Sequence, residues 1–211
     1  MQIDPQAATE LAALGRFAHE HGWVPATSGN FSRRLDANHI AVTRSGANKG
    51  DLNVETDLIV VALDRPLPAG VSAETPLHVA RYRRDPGIGA IAHVHSVAAT
   101  VLSRADEARG HVAIEGFEMQ KAITGFTTHE SLLRLPVFEN AQDTEALARR
   151  IEHALAEDVV SGTPAYATVP GYLLAGHGMY AWGATIDDTR RHIEGLDFLL
   201  RCVLEERRLT Q

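Results

Sequence analysis

The sequence predicts a layered α/β domain, and three observations carry that prediction. Helical periodicity appears in several separated segments, short apolar runs lie between them, and polar glycine-containing loops join the two kinds. The 211 residues, 45% hydrophobic, are enough to bury a substantial core. No Ser/Gly-rich tract, charge block or repeat divides them, and the stretch from Pro66 to Gly70 is short enough to be an ordinary loop. A single domain over residues 1–211 is therefore expected.

Taken in order, Asp4 before Pro5 reads as a helix cap and first turn, after which Leu11, Leu14 and Phe17 recur at helical spacing until Gly22. Residues 27–32 form a polar loop. Runs at 40–43 and 58–63 predict strands that flank a second polar loop, 43–50. A helix over 74–84 precedes a short apolar strand around residues 90–95, and 97–102 reads as a helix at its end. Residues 143–157 are rich in helix formers, with Leu147, Ile151 and Leu155 on one face, and 186–207 predict a long closing helix. Strand order and direction stay open at this level.

The formal charge of −7, without a basic stripe, argues against a nucleic-acid or anionic-membrane surface. The opening residues lack a charged segment followed by an apolar core, and no apolar run is long enough to span a bilayer, so a cytoplasmic protein is expected. Cys202 is the lone cysteine, which excludes an intramolecular disulfide and leaves histidine and carboxylate as metal ligands. Its helical, apolar surroundings suit packing better than redox chemistry.

Within the apolar strand, His93 and His95 are separated by one residue, which points both imidazoles to one face. They read either as two satisfied core histidines or as part of a metal site, and burial among apolar residues demands partners for their nitrogens. His177, between Gly176 and Gly178, projects from a tight turn and supplies a third imidazole. Three imidazoles with an open fourth position suit catalytic zinc, although imidazole also suits iron, nickel and copper. Ser28, Gly29, Asn30, Ser45 and Gly46 offer hydroxyls and backbone N–H groups suited to phosphate oxygens, and Lys49 adds a charge. Ordinary turns have the same composition. Glu74 reads as a base near the metal or as an acid at a helix start, and His78, one turn on, as a residue backing the ligands or as packing rather than as a ligand. Glu118, considered alone, reads as a surface carboxylate.

In order, Thr27-Ser28-Gly29-Asn30, Thr43-Arg44-Ser45-Gly46, Ser72-Ala73-Glu74, His93-Val94-His95-Ser96 and Gly176-His177-Gly178 resemble the class II aldolase/adducin-like family along nearly the whole chain. The resemblance implies a three-layer α/β/α domain around a central, largely antiparallel sheet. It also implies one Zn2+ per subunit on His93, His95 and His177, phosphate held by the two loops, and a homotetramer with active sites near subunit interfaces. Lys49, the run 117–122, the run 136–140 and the run 177–183 look like a sugar-phosphate dehydratase branch, and Arg44 stands where the aldolases usually have proline. On that resemblance Glu118 is the preferred acid/base and Glu74 a second catalytic carboxylate. A class II sugar-phosphate aldolase or epimerase is the alternative. A non-catalytic adducin-like module would be expected to have lost the histidines.

Overall fold

Why Pro5 can open a helix is plain in the computed structural model, which describes residues 3–160 and 169–210. The Asp4 carboxylate accepts from the Ala7 amide at 3.3 Å, and proline at the first position gives up an N–H that has no helical partner. Helix α1 (Pro5–Glu20) leads to strands β1 (Asn30–Arg34), β2 (His39–Thr43) and β3 (Leu58–Ala62), then α2 (Thr75–Arg84), β4 (Ala90–Val94), α3 (Val97–Ala105), β5 (His111–Ile114) and β6 (Leu133–Phe138). Helix α4 (Thr144–Val160), strands β7 (Gly171–Leu174) and β8 (Gly178–Gly183), and α5 (Ile186–Leu209) follow.

Among the described residues, eight strands make one sheet in the order β3-β2-β1-β4-β8-β7-β6-β5. Every pairing is antiparallel except β6 with β7. Strand alternation sends successive side chains to opposite faces and so builds two cores. Ala92 and Val94 of β4 pack with α1, α3 and α5 through Leu11, Leu102 and Leu196, whereas Ile91 packs with α2 and α4 through Leu77 and Ile151. The three-layer α/β/α arrangement follows. No described helix is long and apolar enough to cross a membrane.

The helices lie where periodicity predicts them, with Glu74 as the residue that caps α2 rather than its first turn. The main departure is β1. Residues 30–32 read as loop because Asn30 and Ser32 are polar, yet Asn30, Phe31 and Ser32 are all buried in a strand paired on both edges. Their polar groups are satisfied by α2, more than forty residues away in the chain, which local sequence cannot reveal. Strands β6 and β8 likewise carry no clear alternation.

Candidate metal centre

At its C-terminal end β4 delivers two histidines to the α2 face. His93 shares its side of the strand with Ile91, and His95, one residue past the strand, continues the same alternation, so their ring centroids lie 4.6 Å apart. The His95 amide donates to Trp23 O at 2.8 Å, which fixes the chain as it leaves the sheet. His177 comes from the turn between β7 and β8. There the Gly176 amide donates to Ser103 Oγ at 3.1 Å, and the Thr100 hydroxyl lies 2.9 Å from the His177 carbonyl, so α3 holds the turn down.

Gly178 is required by close approach. A Cβ built on it would stand 2.3 Å from the Val94 carbonyl oxygen and 3.2 Å from His93 Cε1. No larger residue lets β8 lie against β4 while keeping His177 beside His93.

One ligand nitrogen from each of His93, His95 and His177 falls within 4.8 Å of the others. His93 is fully buried, and its Nδ1 donates to Met179 O at 3.0 Å, which leaves Nε2 unprotonated and turned toward the cluster. That Nε2 lies 3.3 Å from His177 Nε2. Tyr180 stacks on the His93 ring at 4.1 Å and fixes its plane. Burial holds the pKa of His93 well below its ordinary value, against the pull of Glu74, and burial lowers that of His95 as well. Converging imidazole nitrogens are what a divalent ion requires, and the three-nitrogen donor set fits zinc.

Glu74 sits against this cluster, with Oε1 2.9 Å from His177 Nε2 and 3.5 Å from His93 Nε2, and Oε2 accepting from Asn30 Nδ2 at 2.6 Å. Burial works to raise its pKa, but the His177 hydrogen bond, the two imidazoles and Asn30 bring it down to about 2. It is an ionised carboxylate beside the place a metal-bound group would occupy.

The two polar loops meet through Lys49. Its side chain is buried, and Nζ donates to Thr27 O at 2.9 Å and Ala47 O at 2.8 Å, so one ammonium ties the loops together. Burial lowers its pKa, opposed by Asp57 and Glu74. Ala26 and Thr27 have φ of 51° and 62°, a left-handed conformation that costs β-branched Thr27 in particular. Ser28 follows with a buried Oγ that has no hydrogen-bond partner among the described residues. Gly29 packs against β4, where a Cβ would come within 2.7 Å of His93 O. Ser45 and Gly46 are exposed at the mouth of the second loop.

Of the residues singled out by sequence, His93, His95, His177, Glu74 and Asn30 come together here. Glu118 does not join them. It lies in a short 3-10 turn, Glu118–Ala122, with its side chain 69% exposed, and its partners are Lys121 at 2.8 Å and His129 at 3.6 Å. The Lys121 hydrogen bond, with the charges of Lys121 and His129, lowers its pKa. Sequence reasoning missed Ser32, Tyr82, Thr100 and Ser103. Tyr82 belongs to a face readable as Glu74, His78 and Tyr82 at four-residue intervals on one helix, and Ser32 meets that face from β1.

A family model described as the class II aldolase and adducin N-terminal domain matches residues 9–204. The methylthioribulose-1-phosphate dehydratase of Sorangium cellulosum is 50% identical to this chain over 203 residues, covering 94% of this chain and 92% of that protein. The enzyme of the same name from Parvibaculum lavamentivorans is 48% identical over 201 residues, covering 95% and 94%. Among solved structures, the L-fuculose-1-phosphate aldolase of Thermus thermophilus superposes with a TM-score of 0.78 at 26% identity, covering 98% of this chain and 97% of that one.

Proposed function

The chain belongs to the class II aldolase and adducin family, and from that premise we propose that it dehydrates S-methyl-5-thio-D-ribulose 1-phosphate to 5-methylthio-2,3-dioxopentyl phosphate and water, a step of methionine salvage. The observation that carries this reading is the convergence of three imidazoles and a carboxylate, in a chain about half identical to dehydratases of that name. His93, His95 and His177 would hold one zinc ion per subunit, which would supply Lewis-acid polarisation of the substrate.

The remaining chemistry falls to side chains. Ser28, Gly29, Asn30, Ser45 and Gly46 bind the phosphate, with Lys49 setting the spacing of their loops and adding positive charge. A carboxylate takes the C3 proton, and the electron pair of that C–H bond forms an enediolate across C2 and C3. As it collapses the C4–O bond breaks, the carboxyl group returns a proton to the departing hydroxyl, and water leaves. The resulting enol is protonated at C4 to give the 2,3-diketone. Glu118 carries this acid/base role, and Glu74, anchored beside the histidines, assists it. The exposure of Glu118 suits a site completed at a boundary between subunits of a homotetramer, and exposed Val97, Val101 and Phe198 offer apolar surface for such contacts. A single domain over residues 1–211 in the cytoplasm, with Cys202 unpaired, belongs to the same reading.

Carbon–carbon cleavage of a sugar phosphate is the second reading. It is favoured by one observation: Glu74, and not Glu118, is the carboxylate in contact with the histidines. Chelation followed by zinc titration tests the proposal. Water loss from the thiopentulose phosphate is expected to return in proportion to zinc and saturate at one equivalent per chain, and turnover that survives chelation contradicts it.

A further inference from the structure

Strand β1 and helix α2 interlock through a row of polar side chains. Asn30 and Ser32, two residues apart, share one face of the strand, and Asn30 stands opposite His93 in the β1–β4 register. Glu74, His78 and Tyr82 recur every four residues on the facing helix. Two strand residues span roughly 6.6–6.8 Å and four helical residues about 6 Å, so the two sets interdigitate in step. The contacts run from Glu74 Oε2 to Asn30 Nδ2 at 2.6 Å, Asn30 Oδ1 to His78 Nε2 at 2.6 Å, His78 Nδ1 to Ser32 Oγ at 2.7 Å, and Ser32 Oγ to Tyr82 Oη at 3.1 Å. Asn30, Ser32, His78 and Tyr82 are all buried.

The Asn30 amide fixes the direction of every bond: its Nδ2 donates to the Glu74 carboxylate and its Oδ1 accepts from His78. His78 then carries its proton on Nε2 and accepts at Nδ1. Ser32 has a single hydroxyl proton and gives it to that nitrogen, the closer of its two partners, leaving Tyr82 to donate to Ser32. Burial, opposed by Glu74, lowers the His78 pKa to about 4, and burial raises that of Tyr82, so the histidine stays neutral and the phenol stays a donor. An amide cannot pass a proton along, so Asn30 makes the chain an orienting device rather than a proton path.

We infer that His78, through Asn30, is a positioning residue for Glu74: the one-directional chain Tyr82–Ser32–His78–Asn30 holds the Glu74 carboxylate oriented against His93 and His177. This rests on the proposed reading of Glu74 as a catalytic carboxylate. Outer partners of this kind typically change activity by roughly 10–100-fold. His78→Leu is expected to lower kcat on that scale with KM and zinc content unchanged. His78→Gln, whose amide both donates and accepts, restores most of the loss.

Nitrogen NMR of histidine-labelled, zinc-loaded protein reads the chain without any turnover. His78 Nδ1 is expected as the bare nitrogen and Nε2 as the protonated one at neutral pH. A protonated Nδ1, parental kcat in His78→Leu, zinc content falling in step with kcat, or His78→Gln as impaired as His78→Leu each overturns the inference. If the parent protein does not dehydrate the thiopentulose phosphate, the functional reading fails while the nitrogen spectrum still decides the chain.

Discussion

Replacing Lys49 with methionine removes one charge and two hydrogen bonds while keeping most of the side-chain volume. The ammonium bridges the carbonyls of Thr27 and Ala47 from a position only 2% exposed. Hydrogen bonds to charged groups contribute roughly 1.5–3 kcal/mol each, so the gross loss is about 3–6 kcal/mol. Relief of the buried ammonium's desolvation offsets part of it, and a net destabilisation of about 2–4 kcal/mol is expected. For a chain of this size each kcal/mol moves Tm by about 2–4 °C, giving a fall of roughly 4–16 °C. Loss of the tie also frees Ala26 and Thr27 from their left-handed conformation, which costs on the order of 1–2 kcal/mol per residue, so the first loop relaxes away from the second. The assay is thermal and urea unfolding of zinc-loaded protein at fixed concentration, with steady-state kinetics alongside. A raised KM with zinc retained is expected. Stability within about 0.5 kcal/mol of the parent refutes the tie, and lost stability with unchanged KM refutes its role in phosphate binding.

Gly178→Ala forces a Cβ to 2.3 Å from the Val94 carbonyl oxygen; the strands must part, at a cost of about 1–3 kcal/mol and with weaker zinc binding, and unchanged unfolding and zinc titration contradict the close-packing account. Glu118→Gln is expected to keep fold and zinc but lose roughly 100-fold or more in kcat, whereas near-parental turnover removes Glu118 from the chemistry. Stability should fall with acid through His78: its folded pKa lies near 4, below the ordinary value of 6.5, so the unfolded chain binds the extra proton. The stabilisation is complete above 6.5 and is lost between there and about 4. Between about pH 7 and 5 the parent should lose about 2 kcal/mol more than His78→Gln, a difference set by about 1.4 kcal/mol per pH unit, and urea unfolding with equal losses in the two proteins sinks the argument.

The layers and the metal histidines are legible in the sequence because both rest on short-range spacing. Leu147, Ile151 and Leu155 mark one face of α4, and His93 with His95 mark one face of a strand, from neighbours alone. Strand β1 is not legible, since Asn30 and Ser32 look like loop residues until Glu74, His78 and Tyr82 satisfy them from across the fold. Lys49 reads from sequence as a charge beside a candidate phosphate loop and not as the link between two loops, because its partners are backbone carbonyls that have no sequence signature. His78 reads from sequence as a residue backing the ligands or as packing, and only its two short hydrogen bonds decide between them and give it a direction.

The product formed from S-methyl-5-thio-D-ribulose 1-phosphate by zinc-loaded protein, with His95→Ala as the control, separates dehydration from carbon–carbon cleavage. Mass spectrometry and NMR should find a 2,3-diketone phosphate lighter than the substrate by one water, absent from the control. Two smaller carbon fragments, or a product that forms equally well without His95, contradict the account.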